Sequence, residues 1–220
     1  MPRRPALSHD RIIDAAVRVA DRGGLTQVSM RNVGKELGVE AMSLYHHVTG
    51  KEALLDELVN WFFTRIELPD PRQPWRRAMA DRAASARTAV SEHPWALGLI
   101  ESRTNSVPAL LRHHDTVLGC LRRNGFSVAL AAHAFSAIDA YVYGFVLTEL
   151  NLPFEAGEGV DEFVDQLRRR VPLDDYPHLA EMITEQVVNR SYDYADEFEF
   201  GLDLILDSLQ ARLLADGAAE

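Results

Sequence analysis

In each stretch of this chain that prolines, glycines and capping residues mark off, apolar positions recur at helical spacing, which predicts an all-α protein. Residues 8–22 place Ile12, Ile13, Ala16, Val19 and Ala20 on one face, pair Asp14 with Arg18 at i, i+4 on the other, and end at Gly23-Gly24. Ser29 is an N-cap type, and Met30, Val33 and Leu37 behind it predict a helix over 30–37. Gly34 lets a neighbouring backbone approach, and Gly38 can take the left-handed conformation that closes a helix. A second short helix follows, with Leu44 and Val48 as its buried pair, so Met42, Ser43, His46 and His47 point largely outward. Residues 51–66 carry Leu54, Leu55, Leu58, Val59 and Phe62 until Pro69, Pro71 and Pro74 forbid continuation.

Beyond residue 73 the same reasoning predicts helices over 75–93, stopped by Pro94, and over 95–103. A further helix opens at Ser106 with Pro108 and ends at Gly125, and another over 128–152 is capped by Ser127. The 128–152 segment is apolar nearly all round and long enough to span a bilayer. Asp139 near its centre and Glu149 argue instead for burial inside protein, so no membrane partner is expected. The last helix, about 194–214, aligns Phe198, Leu202, Ile205, Leu206, Leu209 and Leu213 in a wide stripe. That stripe either covers the core of its own body or meets a second copy in a four-helix bundle.

Residues 29–48 thus have the layout of a helix-turn-helix, in which the first helix crosses the phosphate backbone and the second lies in the major groove. An ordinary helical hairpin has the same pattern, but it gives no reason for exposed aromatic and histidine side chains. Charge separates this region from the rest. Residues 1–51 hold eight basic and five acidic side chains, a net of +3, so the remainder carries −13 of the total −10. Both lysines, Lys35 and Lys51, lie in it. The two parts suggest a head over 1–68 and a larger helical body over 73–216. At 220 residues and 47% hydrophobic the chain suffices for both. A single cysteine, Cys120, excludes an intrachain disulfide, and no apolar signal region opens the chain, so a cytoplasmic protein is expected. No nucleophile–base set or metal-ligand spacing is present. Neither His46-His47 nor His113-His114 has the i, i+4 separation a metal needs on a helix, so catalysis and a metal cofactor are not expected.

The run RIIDAAVRVADRGGLTQVSMRNVGKELGVEAMSLYHHVTGKEALLDEL, above all LYHHVTGK followed by EALLDEL, resembles the DNA-binding domain of the tetracycline-repressor (TetR) family. CLRRNGFSVALAAHAFSAIDAYVYGFVL and FEFGLDLILDSLQARL are similar, more weakly, to body helices of the tetracycline repressors. The resemblance implies a DNA contact for Arg31, base-facing positions for Ala41, Met42 and Ser43, groove and backbone contacts for Tyr45, His46 and His47, and a phosphate contact for Lys51. The chain departs from the tetracycline repressors where they carry Gln and Pro, here Ala41 and Met42, and where they carry Trp, here His46. A different operator is expected.

The family further implies a homodimer, a palindromic double-stranded operator, and release by a small-molecule inducer bound in the body. Phe135, Phe198, Leu202, Leu206 and Leu209 are the expected dimer contacts. Asp139, alone in its apolar helix, is the first expected ligand contact, followed by Trp95, Arg103 and Tyr143; pairing at the dimer interface is the other explanation for Asp139. Tetracycline is not the expected ligand, because its repressors carry a magnesium-binding histidine just before Leu-Gly-Thr-Arg, and residues 99–103 contain none. The alternative function is an interaction protein or ligand sensor of the same fold that does not bind DNA specifically, which Ala41 and Met42 allow because neither reads bases by hydrogen bonds.

Overall fold

The computed structural model describes residues 6–102, 107–152, 160–188 and 192–217, and these residues are helical throughout, without strands. The head holds α1 (His9–Gly23), α2 (Met30–Leu37), α3 (Ala41–Leu44) and α4 (Lys51–Phe63). Ser8 Oγ accepts the Arg11 N–H at 3.4 Å and Ser29 Oγ accepts the Asn32 N–H at 3.2 Å, so both serines cap the helices they precede. Gly38 closes α2 at φ 67°, and its N–H donates to the Gly34 and Lys35 carbonyls. A Cβ at position 34 would lie 2.9 Å from the Val39 carbonyl oxygen and 3.3 Å from the Ala41 nitrogen, so the turn closes only because residue 34 is glycine. Ile12, Ala16, Val33, Leu44, Leu54 and Leu58 form the buried centre of this unit.

In the body, α5 (Trp75–Glu92) lies along α8 (Val128–Glu149), and α8 also packs on α7 (Pro108–Arg123) and α11 (Glu197–Gly217). The short α6 (Trp95–Ser102) sits against α4. α4 also packs along α7, where Asn60 Oδ1 accepts the Ala109 N–H at 3.0 Å and so caps α7 from the head's last helix. Ser106, expected at that start, lies outside the described residues, and Val107 holds the N-cap position. The buried apolar residues run without a break from Ile12 to Leu209, so head and body share one core. α8 has the length and mean hydropathy of a membrane-spanning helix, yet Leu130, Ala134, Ile138, Val142 and Val146 are buried among its helical neighbours.

Two features depart from expectation. Residues 160–188 form α9 (Val160–Arg170) and α10 (Pro177–Met182), which runs on into a π-helical turn (Ile183–Val188). Val164 and Ile183 are buried there, whereas Tyr176, Leu179, Met182 and Val188 are exposed. α9 places Val160, Phe163, Val164 and Leu167 at i, i+3, i+4 and i+7, the spacing of an amphipathic helix.

The second departure concerns α11. Phe198, Leu202, Leu206 and Leu209 are between 0% and 6% exposed and pack into the protomer's own core, so they are corrected from dimer contacts to core residues. Phe135 is likewise directed inward, its ring 4.7 Å from that of His114. The open face of α11 instead carries Phe200, Leu204 and Leu214, at 66%, 55% and 67% exposure. Position 204 lies two residues from 202 and 206, about 200° around the helix, so α11 is apolar on opposite sides. The exposed residues of α8 include Ala129, Ala132, Ser136, Ala137, Ala140 and Gly144, small side chains that allow close approach by another helix.

Candidate nucleic-acid interface and a polar cluster in the body

The turn between α2 and α3 presents the head's outer face. Leu44 and Val48, 0% and 4% exposed, anchor the segment, while Met42 is 72% exposed and Tyr45 46%. α3 itself is a single helical turn, continued by the His47 and Val48 N–H groups, which both donate to the Leu44 carbonyl at 2.9 Å. His46, His47, Arg31 and Lys51 are exposed; Ala41 and Ser43 are half-buried.

The head's cations divide by partner. Arg18 does not pair with Asp14 as its spacing suggested; its Nε donates to Glu36 Oε1 at 2.9 Å, and Arg22 holds the other carboxylate oxygen. The Arg22 and Arg18 guanidiniums keep Glu36 below the usual carboxylate range. Arg31, Lys35 and Lys51 have no ion-pair partner among the described residues. Arg31 and Lys35 share a face of α2 by their i, i+4 spacing, and Lys51 opens α4 behind Gly50, which offers no side-chain cap. A phosphate beside that helix start would meet both a lysine and the positive end of the helix dipole.

Trp95 takes a place the sequence did not foresee. Its indole N–H donates to Asp21 Oδ1 at 2.6 Å, and His93 Nδ1 lies 2.8 Å from the same oxygen. The ring of Trp61 packs edge-on against His93 at 4.9 Å and lies 6.2 Å from Trp95. Asp21 belongs to α1 and Trp61 to α4, so Trp95 joins body to head, and neither Asp139 nor Tyr143 is among its hydrogen-bond or ring partners in the described residues.

Asp139 and Tyr143, in contrast, belong to one polar cluster. Asp139 pairs with Arg82 of α5, which is 1% exposed, so the carboxylate is answered within the chain rather than across a dimer interface. Arg82 also donates from Nε and Nη2 to His113 Nε2 of α7 at 3.1 and 2.9 Å. Burial raises the Asp139 carboxyl, against the opposing pull of Arg82. Burial, then the Asp139 charge, raises the Tyr143 hydroxyl. Burial, with Arg82's charge behind it, lowers His113 to about 3. Aromatic rings surround the cluster: Phe63 of α4 is 5.4 Å from His113, and the Arg82 guanidinium stands 5.8 Å from the centre of Phe135. Arg103 lies outside the described residues.

Arg82 and His113 were not among the expected site residues, although both occupy stripe positions. Arg82 stands in register with Trp75, Ala78, Met79, Ala86 and Ala89, and His113 with Val117, Cys120 and Leu121, all buried. A polar residue in an apolar stripe was the available signal. No group of three or more potential metal ligands occurs among the described residues.

Comparison with known proteins covers both parts. Residues 12–58 match the family described as bacterial regulatory proteins, tetR family, and residues 68–213 match the tetracyclin repressor-like C-terminal domain. The chain is 32% identical over 221 residues to the HTH-type transcriptional repressor DrrR1 of Streptomyces coeruleorubidus, covering 94% of this chain and 78% of that protein. It is 34% identical over 179 residues to an HTH-type transcriptional regulator of Saccharopolyspora erythraea, covering 80% and 75%. Among solved structures, the Streptomyces coelicolor TetR family protein ActR in complex with actinorhodin superposes with a TM-score of 0.75 at 26% identity, covering 95% of this chain and 99% of that one.

Proposed function

Because this chain belongs to the TetR family of bacterial regulatory proteins, we propose that it is a homodimeric transcriptional repressor that leaves a palindromic operator when a small molecule binds its body. The observation that carries the DNA-binding part is the division at the turn: Leu44 and Val48 are buried, while Met42, Tyr45, His46 and His47 are exposed beside Arg31 and Lys51. Lys51 and Tyr45 contact phosphate, with His47 beside them. Ala41, Met42 and Ser43 offer few hydrogen bonds, so Arg31, His46, contacts to thymine methyls and DNA shape select the operator. The protein acts in the cytoplasm.

The partly apolar open face of α8 and α11, with Leu204 and Phe200 on it, supports dimerisation. Two-fold pairing presents two heads to successive major grooves about 34 Å apart. ActR has been crystallised with actinorhodin, and the same arrangement of body helices supports a small-molecule effector here. Its binding favours a conformation of lower operator affinity, and only the difference in affinity between the two states drives release.

Electrophoretic mobility of the promoter fragment upstream of the protein's own gene, over a salt series and against random DNA, tests the function. Specific retardation is expected. Equal affinity for both fragments favours instead the interaction-protein reading, which the Ala41-Met42 pair suits. Lys51→Ala should weaken both fragments alike and reduce the slope of log affinity against log salt by about one. Arg31→Ala should cost about 1–3 kcal/mol on the promoter fragment and relax the preference at one base position. An unchanged salt slope for Lys51→Ala removes it from the phosphate contacts.

A further inference from the structure

The polar cluster of the body leaves donors unanswered. Arg82 is 1% exposed and His113 0%. A guanidinium only donates, so the His113 Nε2 that receives Arg82 Nε and Nη2 is the bare nitrogen, and the proton of the neutral ring sits on Nδ1. That Nδ1–H and the Nη1 group of Arg82 are buried with no acceptor among the described residues. A buried donor without a partner gives up its hydration for nothing, so two of them on a single hydrogen-bonded unit call for an acceptor beyond the described residues.

The surroundings specify that acceptor. Arg82 and Asp139 cancel in charge, and burial holds both His113 and His114 toward their neutral forms, so a charged ligand would bring an uncompensated ion into the core. Rings from three helices lie around the unit: Phe63 from α4, His114 from α7, and Phe135 from α8. Around the enclosed Arg82 and His113, the side chains of His114, Phe135, Asp139 and Tyr143 are half-buried.

We propose that this cluster is the effector site, and that it takes an uncharged planar aromatic compound whose carbonyl or quinone oxygens accept from Arg82 Nη1 and His113 Nδ1. The proposal rests on the reading of the chain as a ligand-released repressor. Phe63, against His113, is the last residue of α4, the helix that Lys51 opens.

The test pairs carbonyl compounds with their carbonyl-free counterparts: 9,10-anthraquinone with anthracene, and xanthone with xanthene, titrated into the full-length protein and followed by tryptophan fluorescence. Binding of at least one carbonyl compound, ten-fold or more tighter than its counterpart, is expected. The preference should vanish in the double variant Arg82→Met/Asp139→Leu, which removes the ion pair without stranding a charge. His113→Phe, which keeps a ring and deletes the Nδ1–H, should reduce it at least three-fold and serves where the double variant does not fold. Equal affinities within both pairs, no binding by either carbonyl compound, or a preference that survives in the variants overturns the proposal. The promoter-fragment assay separates the two readings: specific DNA binding without carbonyl preference defeats the effector chemistry alone, and carbonyl preference without specific DNA binding defeats the repressor reading alone.

Discussion

At the scale of single residues, the body is governed by an arginine and a histidine that sit where an apolar side chain is expected. His113 accepts from Arg82 only while its ring is neutral, and burial keeps it so by lowering its pKa from 6.5 to about 3. In the window between those values the unfolded chain binds a proton that the folded chain does not. Stability therefore rises with pH across the window, is fully present above about 6.5, and is lost as pH falls toward 3. His114, also lowered by burial, acts with the same sign. Asp139, raised by burial from 3.8, acts with the opposite sign just above that value. Urea unfolding between pH 7 and 5 should show stability falling by up to about 1.4 kcal/mol per unit from His113, and His113→Leu should flatten that slope even though it lowers stability overall. An identical slope in the variant would mean that the ring titrates normally. The sequence held both residues in view: Arg82 falls on the apolar stripe of α5 while Arg76, Arg77 and Arg87 fall off it, but nothing in the pattern names the groups that Arg82 meets. Asp139 was legible as an anomaly, because an acid in an apolar helix needs a partner; the partner's identity needed the fold.

Elements were legible where punctuation is local. The head's turn follows from Ser29, Gly34 and Gly38, each bound by a constraint of the backbone itself, and the helix ends at Pro74, Pro94 and Pro108 follow in the same way. Which face of a helix meets which neighbour is a different matter. α11 carries apolar residues on two sides, and sequence gives no order of preference between them: the Phe198–Leu209 stripe is buried at home and the Phe200–Leu204 side is left open. The two sides predict different failures. Leu204→Arg should leave the protomer folded, with its melting temperature little changed at low concentration, and halve the mass seen by sedimentation. Leu206→Arg places a charge at a fully buried position and should cost several kcal/mol of fold stability. A dimer that persists in Leu204→Arg would move the interface elsewhere. The segment between α8 and α11 was legible only in part: Val160, Phe163, Val164 and Leu167 keep helical spacing in α9, whereas the six residues of α10 bury none and Ile183 follows in the π-helical turn.

Across the whole molecule, one buried core runs through head and body, and a single carboxylate reinforces the join. Asp21 Oδ1 takes the Trp95 indole N–H and faces His93 Nδ1, both from the body, while Trp61 of α4 packs against both rings. Motion of the body that shifts α6 must therefore either carry α1 with it or break this contact. With the join intact, calorimetry should show one unfolding transition. Asp21→Ala leaves the partly buried indole N–H without its acceptor, and should lower stability by about 1–3 kcal/mol and broaden or split that transition, the head separating from the body. A sharp transition at the original temperature in the variant would leave the apolar contacts alone responsible for the coupling. The opposite charges of the two parts were plain from composition; the contact that reinforces their union was not, because Trp95 was expected at the ligand and instead meets Asp21 of the head.

The distribution of lysine has a practical consequence. Lys35 and Lys51 are the only two lysines in the chain, and both stand exposed on the head. An amine-directed fluorophore or cross-linker therefore has no side-chain target anywhere on the body. A label placed in this way watches the DNA-facing unit alone, the arginine-rich remainder stays chemically silent, and the operator itself should shield Lys51 from the reagent.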